Sequence, residues 1–295
     1  MKKTNLENRI IVVIAYTFLA VMAIAYVTPF ITMISASFTD EHYLDVNGYG
    51  ILPGKFSWFA YSFVFTGNSA IPQGYLISIF VTITGTVLSL IVTSMIAYPL
   101  SRKHLKYANA ISFFVFFTML FQGGLVPFYL WVSKYLHLTD TIWVLILPAT
   151  VNAFNLFLLR AYFSSIDDSM LESAKIDGAK EMRVLFSIVF PLSLPGIVTI
   201  ILFYGLQYWN DWFTALLFLN KRQLYPLQYL LRMIISTIDF LSSADSKIAS
   251  QAAYAIPTKS VRMATTVVTI GPIILFYPFI QKFFIKGIIV GGVKG

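Results

Sequence analysis

From Ile10 to Ser35 the chain runs for about 25 residues without one charged side chain. Five further stretches resemble it, at residues 75–100, 111–130, 142–163, 192–216 and 264–284. A helix rises about 1.5 Å per residue, so roughly 20 apolar residues cross the ~30 Å hydrocarbon layer of a bilayer. Composition agrees: 58% of the residues are hydrophobic and 12% charged, against about 45–50% and 25% in soluble domains. Mean hydropathy is +0.76. A soluble globule lacks the polar surface to tolerate this, and intrinsic disorder needs the opposite balance. The expectation is an all-α polytopic membrane protein with six transmembrane helices, folded as one membrane domain over 1–295. Lys2, Lys3 and Arg9 precede the first run, as in a secretory signal. Its length exceeds the 7–15 apolar residues of such a signal, so it reads as an uncleaved span.

Six spans leave both termini on one side. If that side is the cytoplasm, it holds thirteen of the 21 Lys and Arg residues. Six of the other eight fall in one long segment between spans five and six, and long external segments follow the positive-inside rule poorly. Cytoplasmic termini are therefore expected, and the formal charge of +8 records loops rather than affinity for nucleic acid. The chain has no cysteine, and His42, His104 and His137 are far apart. Disulfides, thiol catalysis and a histidine metal site are not expected.

The cytoplasmic segment 164–191 carries five acids and three bases. Asp167, Asp168 and Ser169 suit a helix start, and Ser169 with Glu172 has capping-box spacing. Met170, Leu171 and Ala174 form an apolar stripe, and Asp177-Gly178 ends the helix, since glycine accepts the left-handed conformation. A second helix from Ala179 stops at Pro191. The outcome is a helix–turn–helix that offers one short amphipathic helix. Such a helix either lies on the lipid surface or fits the groove of a partner.

Glu172-Ser173-Ala174, Gly178, Ile188 and Pro191 resemble the motif of permease subunits of ATP-binding-cassette importers, which reads E-A-A, three residues, G, nine residues, I, any residue, L-P. Ser173 and Phe190 are mild departures. Asp177-Gly178-Ala179 fits the carbohydrate-uptake members, as do Tyr208-Trp209-Asn210-Asp211 and the tail from Gln281 to Gly295. That tail is similar to the maltose-type second permease and to oligosaccharide permeases of Gram-positive bacteria. The resemblance implies a type I importer permease fold in the bacterial cell membrane, with a coupling helix carrying Glu172, Ser173, Ala174, Asp177, Gly178 and Ala179. It also implies a homologous second permease, two cytoplasmic ATPase subunits using ATP and Mg2+, and an extracytoplasmic solute-binding protein that delivers a carbohydrate. The chain shows no G-x-x-x-x-G-K-[ST] phosphate loop. It is expected to bind no cofactor and to be a passive translocation subunit rather than an enzyme.

Polar groups inside apolar spans must face protein or water rather than lipid. Gln122 before Gly123-Gly124, Asn152 and Asn155 in span four, and Tyr204, Gln207, Tyr208, Trp209, Asn210 and Asp211 in span five are candidates for a sugar path. Amides and rings suit sugar hydroxyls and C–H faces. The same amides could instead bridge helices, the aromatic residues could form an interfacial belt, and Asp211 suits a structural pair or the external mouth. A secondary transporter or channel is the alternative class, but its coupling ions call for ionisable groups or broken helices at mid-membrane. An importer permease for a non-sugar solute is another. Nothing here supports an intramembrane enzyme: metal motif, G-x-S-x-G elbow and paired intramembrane carboxylates are all lacking.

Overall fold

A computed structural model of the chain describes residues 6–67, 70–102, 104–243, 259–272 and 274. These fall into two compact units, one drawn from 1–69 and 233–272 and the other from 70–232 and 273–295. Regular structure among the described residues is helical, apart from one antiparallel bridge between Thr39 and Phe56.

In the first unit, α1 (Leu6–Ser37) is apolar all round. The most hydropathic window of Arg9–Ser37 buries none of its residues inside the protein, as suits a helix solvated by lipid or another chain. Past its end, Phe38 stacks on Phe56 and Tyr61 and meets Trp58 edge-on. The Tyr61 hydroxyl bonds Ser37 Oγ at 2.9 Å. Asp40 caps α2 (Glu41–Asn47), and α3 (Phe59–Ser62) leads into a π turn at Phe63–Gly67. Glu41 reaches across the unit to the helix at 259–272. Its carboxylate accepts the backbone N–H groups of Lys259 and Ser260 at 2.7 and 2.8 Å.

The second unit opens with α4 (Ala70–Leu100), long and apolar enough to span a membrane. Its buried face runs Ser78, Val81, Gly85, Ser89, Thr93 and Ala97, small or hydroxylated at helical spacing. Such a face lets a neighbouring helix approach closely. The neighbour is the helix Leu194–Asn210, whose Tyr208 ring lies on Gly85. A Cβ there would stand 2.7 Å from the ring, so the contact requires glycine. Next come α5 (Ala108–Leu120), α6 (Leu125–Leu130) with a π turn at Trp131–Tyr135, and 3-10 turns at Ile142–Leu145 and Leu147–Ala149. After them stand α7 (Ala153–Ser164), α8 (Asp168–Ile176) and α9 (Glu181–Val184). A π turn leads to α10 (Phe190–Leu192), α11 (Leu194–Asn210) and α12 (Phe213–Phe218). Of α13 (Leu227–Ser243), residues 227–232 belong to this unit and 233–243 to the first.

Spans one and two occur as continuous helices, but the next three do not. Residues 108–120 and 125–135 are bent by 113° and 142–149 and 153–164 by 52°, while the loop helix 181–192 meets 194–210 at 91° where span five begins. Each break has a local cause. Phe121 is extended and Gly124 has φ +88°. Asn152 is extended and starts a new helix as its cap, and the third bend falls at Ser193, with a proline opening α11. Span five, expected to run to residue 216, stops at Asn210 and resumes as α12. Of span six, residues 264–272 and 274 are described; the remainder and the tail from Gln281 to Gly295 lie outside the described residues.

Candidate coupling helix and polar cleft

The segment after α7 forms the helix–turn–helix expected from its residues, with the N-cap shifted. Asp167, not Ser169, caps α8: its carboxylate accepts the Ser169 N–H at 3.0 Å. Ser169 lies within the first turn, and its carbonyl accepts the Ser173 hydroxyl. The carboxylate beside the caps outcompetes the hydroxyl because it is an ionised acceptor at a positive helix end. The C-terminus is a Schellman turn. The Ala179 N–H bonds the Ala174 carbonyl and the Gly178 N–H the Lys175 carbonyl, both at 3.0 Å, while Gly178 takes φ +83°.

Only Leu171 of α8 is buried, with Asp168 and Ala174 half-buried. Glu172 and Ser173 are exposed, as are Asp177 and Gly178 in the turn, while Ala179 is half-buried. Met170 and Ile176, on the outer face with Ser173, are 49% and 86% exposed. Two large apolar side chains flanking a small one form a stripe with no cover among the described residues.

Beneath α8 the contacts are polar. The Arg102 guanidinium, just beyond α4, donates to Asp168 Oδ1 at 3.1 Å and to the Phe163 carbonyl. It also sits over the Tyr98 ring, 5.5 Å from its centroid. The Tyr98 hydroxyl donates to Glu181 Oε2 at 2.8 Å, and Lys175 pairs with Glu181 Oε1 at 2.6 Å. Lys175 first and Tyr98 second hold the Glu181 carboxyl below its ordinary range. A cavity of about 470 Å3 opens between these groups and Met95, Leu105, Leu171 and Met182. Neither Tyr98 nor Arg102 is among the residues expected to serve coupling. Their i, i+4 spacing at the end of an apolar run was the available signal.

The structure divides the candidate path residues. Asn152, Asn155 and Gln207 line one open cleft of about 390 Å3 with Phe154, Phe203 and Leu206. Asn152 is also a cap, its side chain accepting the Asn155 N–H at 3.1 Å. Tyr204 and Tyr208, by contrast, are buried in helix packing and present no ring to a solute. The Tyr204 hydroxyl bonds Thr93 Oγ1 at 2.7 Å and accepts the Asn152 N–H at 3.0 Å. The Tyr208 hydroxyl bonds Ser89 Oγ at 2.8 Å and donates to the Ile146 carbonyl at 3.0 Å. Trp209 is buried, its Nε1 has no hydrogen-bond partner among the described residues, and its ring stands near Tyr75. Asn210 turns back to the Leu206 carbonyl. Asp211 lies beyond the end of α11 and accepts the Thr214 N–H at 3.0 Å, a structural role. Gln122 is exposed in the break before α6.

Residues 92–290 match the family described as binding-protein-dependent transport system inner membrane component. A polygalacturonan/rhamnogalacturonan transport system permease protein of Bacillus subtilis, YtcP, is 42% identical over 290 residues, 98% of this chain and all of that one. Protein LplC of the same organism is 39% identical over 269 residues, 91% of this chain and 90% of LplC. Among solved structures, a chain of a bacterial ABC transporter involved in the import of the acidic polysaccharide alginate aligns with TM-score 0.83 at 29% identity. That alignment covers 96% of this chain and 100% of the other. A match over most of the chain, a relative 42% identical over its whole length and a shared fold agree: the chain belongs to the family of inner membrane components of binding-protein-dependent transport systems.

Proposed function

We propose that this chain is the passive translocating permease of an ATP-driven importer of oligosaccharides. The observation that carries this reading is α8, a short helix held from below, with an uncovered Met170–Ser173–Ile176 face. Apolar anchors around a small residue suit a helix laid into a groove. The groove belongs to a cytoplasmic ATPase subunit, which holds the ATP and Mg2+, so this chain binds no cofactor. Both termini lie in the cytoplasm. A homologous second permease completes the path, and an extracytoplasmic binding protein delivers the sugar.

The cleft supports a carbohydrate as cargo. Three amide side chains and two phenyl rings line it, matching hydroxyls and C–H faces, and each amide both donates and accepts. Relatives named for polygalacturonan/rhamnogalacturonan and for arabinooligosaccharides point the same way. The cleft lies at a helix break, a feature ion-coupled carriers share; its lack of ionisable side chains and the chain's membership of the binding-protein-dependent family favour the ATP-driven reading over theirs. Uptake of short oligogalacturonides into vesicles holding the assembled importer and its binding protein tests the reading. Uptake is expected to require ATP and to stop with vanadate. Uptake driven by an ion gradient without ATP would overturn it.

A further inference from the structure

The polar contacts beneath α8 converge on the end of one helix. Arg102 follows α4 by two residues, and its side chain is 14% exposed. It donates to Asp168, the first residue of α8, and to the carbonyl of Phe163 near the end of α7. Tyr98, one turn earlier, supports the guanidinium with its ring and donates its hydroxyl to Glu181. Glu181 in turn holds Lys175 in the last turn of α8. Both ends of the exposed helix are thus fastened to the end of α4 by charge-assisted bonds, which are shorter and stronger than neutral ones. A planar guanidinium serves several acceptors at fixed angles, as an ammonium does not.

The same helix reaches the cleft. Thr93, on the buried face of α4, bonds the Tyr204 hydroxyl, and that hydroxyl accepts the N–H of Asn152 on the cleft wall. A continuous set of hydrogen bonds and one rigid helix therefore lead from α8 to Asn152. Spatial continuity alone does not establish coupling, but it identifies the residue whose loss would sever the link. We propose that Arg102 is a positioning residue for transport: it fixes α8 to α4, so that movement of α8 on its ATPase becomes movement of α4 and of the cleft wall. The inference rests on the reading of α8 as the ATPase-docking helix.

The test is made on the full importer in lipid nanodiscs and vesicles, with Arg102→Gln, Arg102→Lys and Tyr98→Phe. Cysteines placed at the exposed Lys180 and Ile91 of this cysteine-free chain carry spin labels that report the separation of the α8 turn from α4. In the unsubstituted complex the separation is expected to stay single and narrow, both without nucleotide and with ATP and vanadate. Arg102→Gln is expected to broaden it while ATPase subunits remain bound and basal hydrolysis continues. Oligogalacturonide uptake per ATP hydrolysed should fall about five- to tenfold, the range of modest coupling energies. Arg102→Lys should restore part of the ratio, and Tyr98→Phe should fall between. An unchanged distance distribution and an unchanged ratio in Arg102→Gln would overturn the proposal. So would a loss of uptake matched by an equal loss of assembled complex. Ile176→Glu, on the outer face of α8, separates the two levels. If it leaves ATPase subunits bound at the unsubstituted level, the docking reading itself fails, whatever Arg102 does.

Discussion

Single residues in this chain act mainly by ending helices. Gly178 shows how far the sequence alone reaches. Its place after Lys175 and Asp177 was legible as a C-terminal glycine, and the structure adds why: φ is +83°, and among the described residues only its chain neighbours come within 4 Å of where a Cβ would stand. An added Cβ would therefore meet no clash within the chain, only backbone strain of order 1–3 kcal/mol. Gly178→Val is expected to lower hydrogen-exchange protection across residues 168–181 by about tenfold, with the rest of the chain unchanged; unchanged protection in the loop would show that the turn relaxes freely. Asn152 and Asp211 were legible as polar residues in apolar surroundings, but not Asn152 as a cap nor Asp211 as the acceptor of the Thr214 N–H. Both roles depend on where a helix breaks, and an apolar run conceals its own breaks. The asparagine before Ala153 was the signal, since Asn is a favoured helix start.

At the scale of elements, the number and order of the first five spans follow from apolar run length, because length and apolarity suffice to cross a bilayer. Their interruptions do not follow, since 121–124, 150–152 and 211–212 are set by a few extended residues within otherwise apolar sequence. Pairing between spans was equally hidden. Only the packed structure shows that the α4 face of serines, threonines and Gly85 receives two tyrosines of α11. This pairing turns Tyr204 from a candidate path group into scaffold. Tyr204→Phe leaves Thr93 and the Asn152 N–H without a shared partner, at a cost of about 1–3 kcal/mol. The solubilised complex is expected to melt at lower temperature while uptake per folded complex is retained. Gln207→Leu should do the reverse, lowering uptake with little change in melting, because its amide lines the open cleft. The opposite pair of results would return Tyr204 to the path and assign Gln207 to packing.

Across the whole molecule, two features organise the second unit: a polar cleft at the break between the 3-10 turns and α7, and an exposed helix at the other end of α7. The motif around Glu172 and Gly178 made the exposed helix legible because such a helix must keep its caps and its small outer residue in sequence order. The fastening beneath it was not legible, since Tyr98 and Arg102 lie some 66 or more residues from Asp168 and Glu181 and meet them only in the fold. In the proposed importer α8 lies in the cytoplasm, covered by an ATPase subunit. Ser173→Cys tests this most directly, as the chain has no other thiol and Ser173 is exposed on the outer face. A membrane-impermeant maleimide is expected to leave this thiol unlabelled in intact cells. In inside-out vesicles it should label only after the ATPase subunits have been stripped away. Labelling from outside intact cells, or labelling of inverted vesicles that is indifferent to stripping, would contradict the claim.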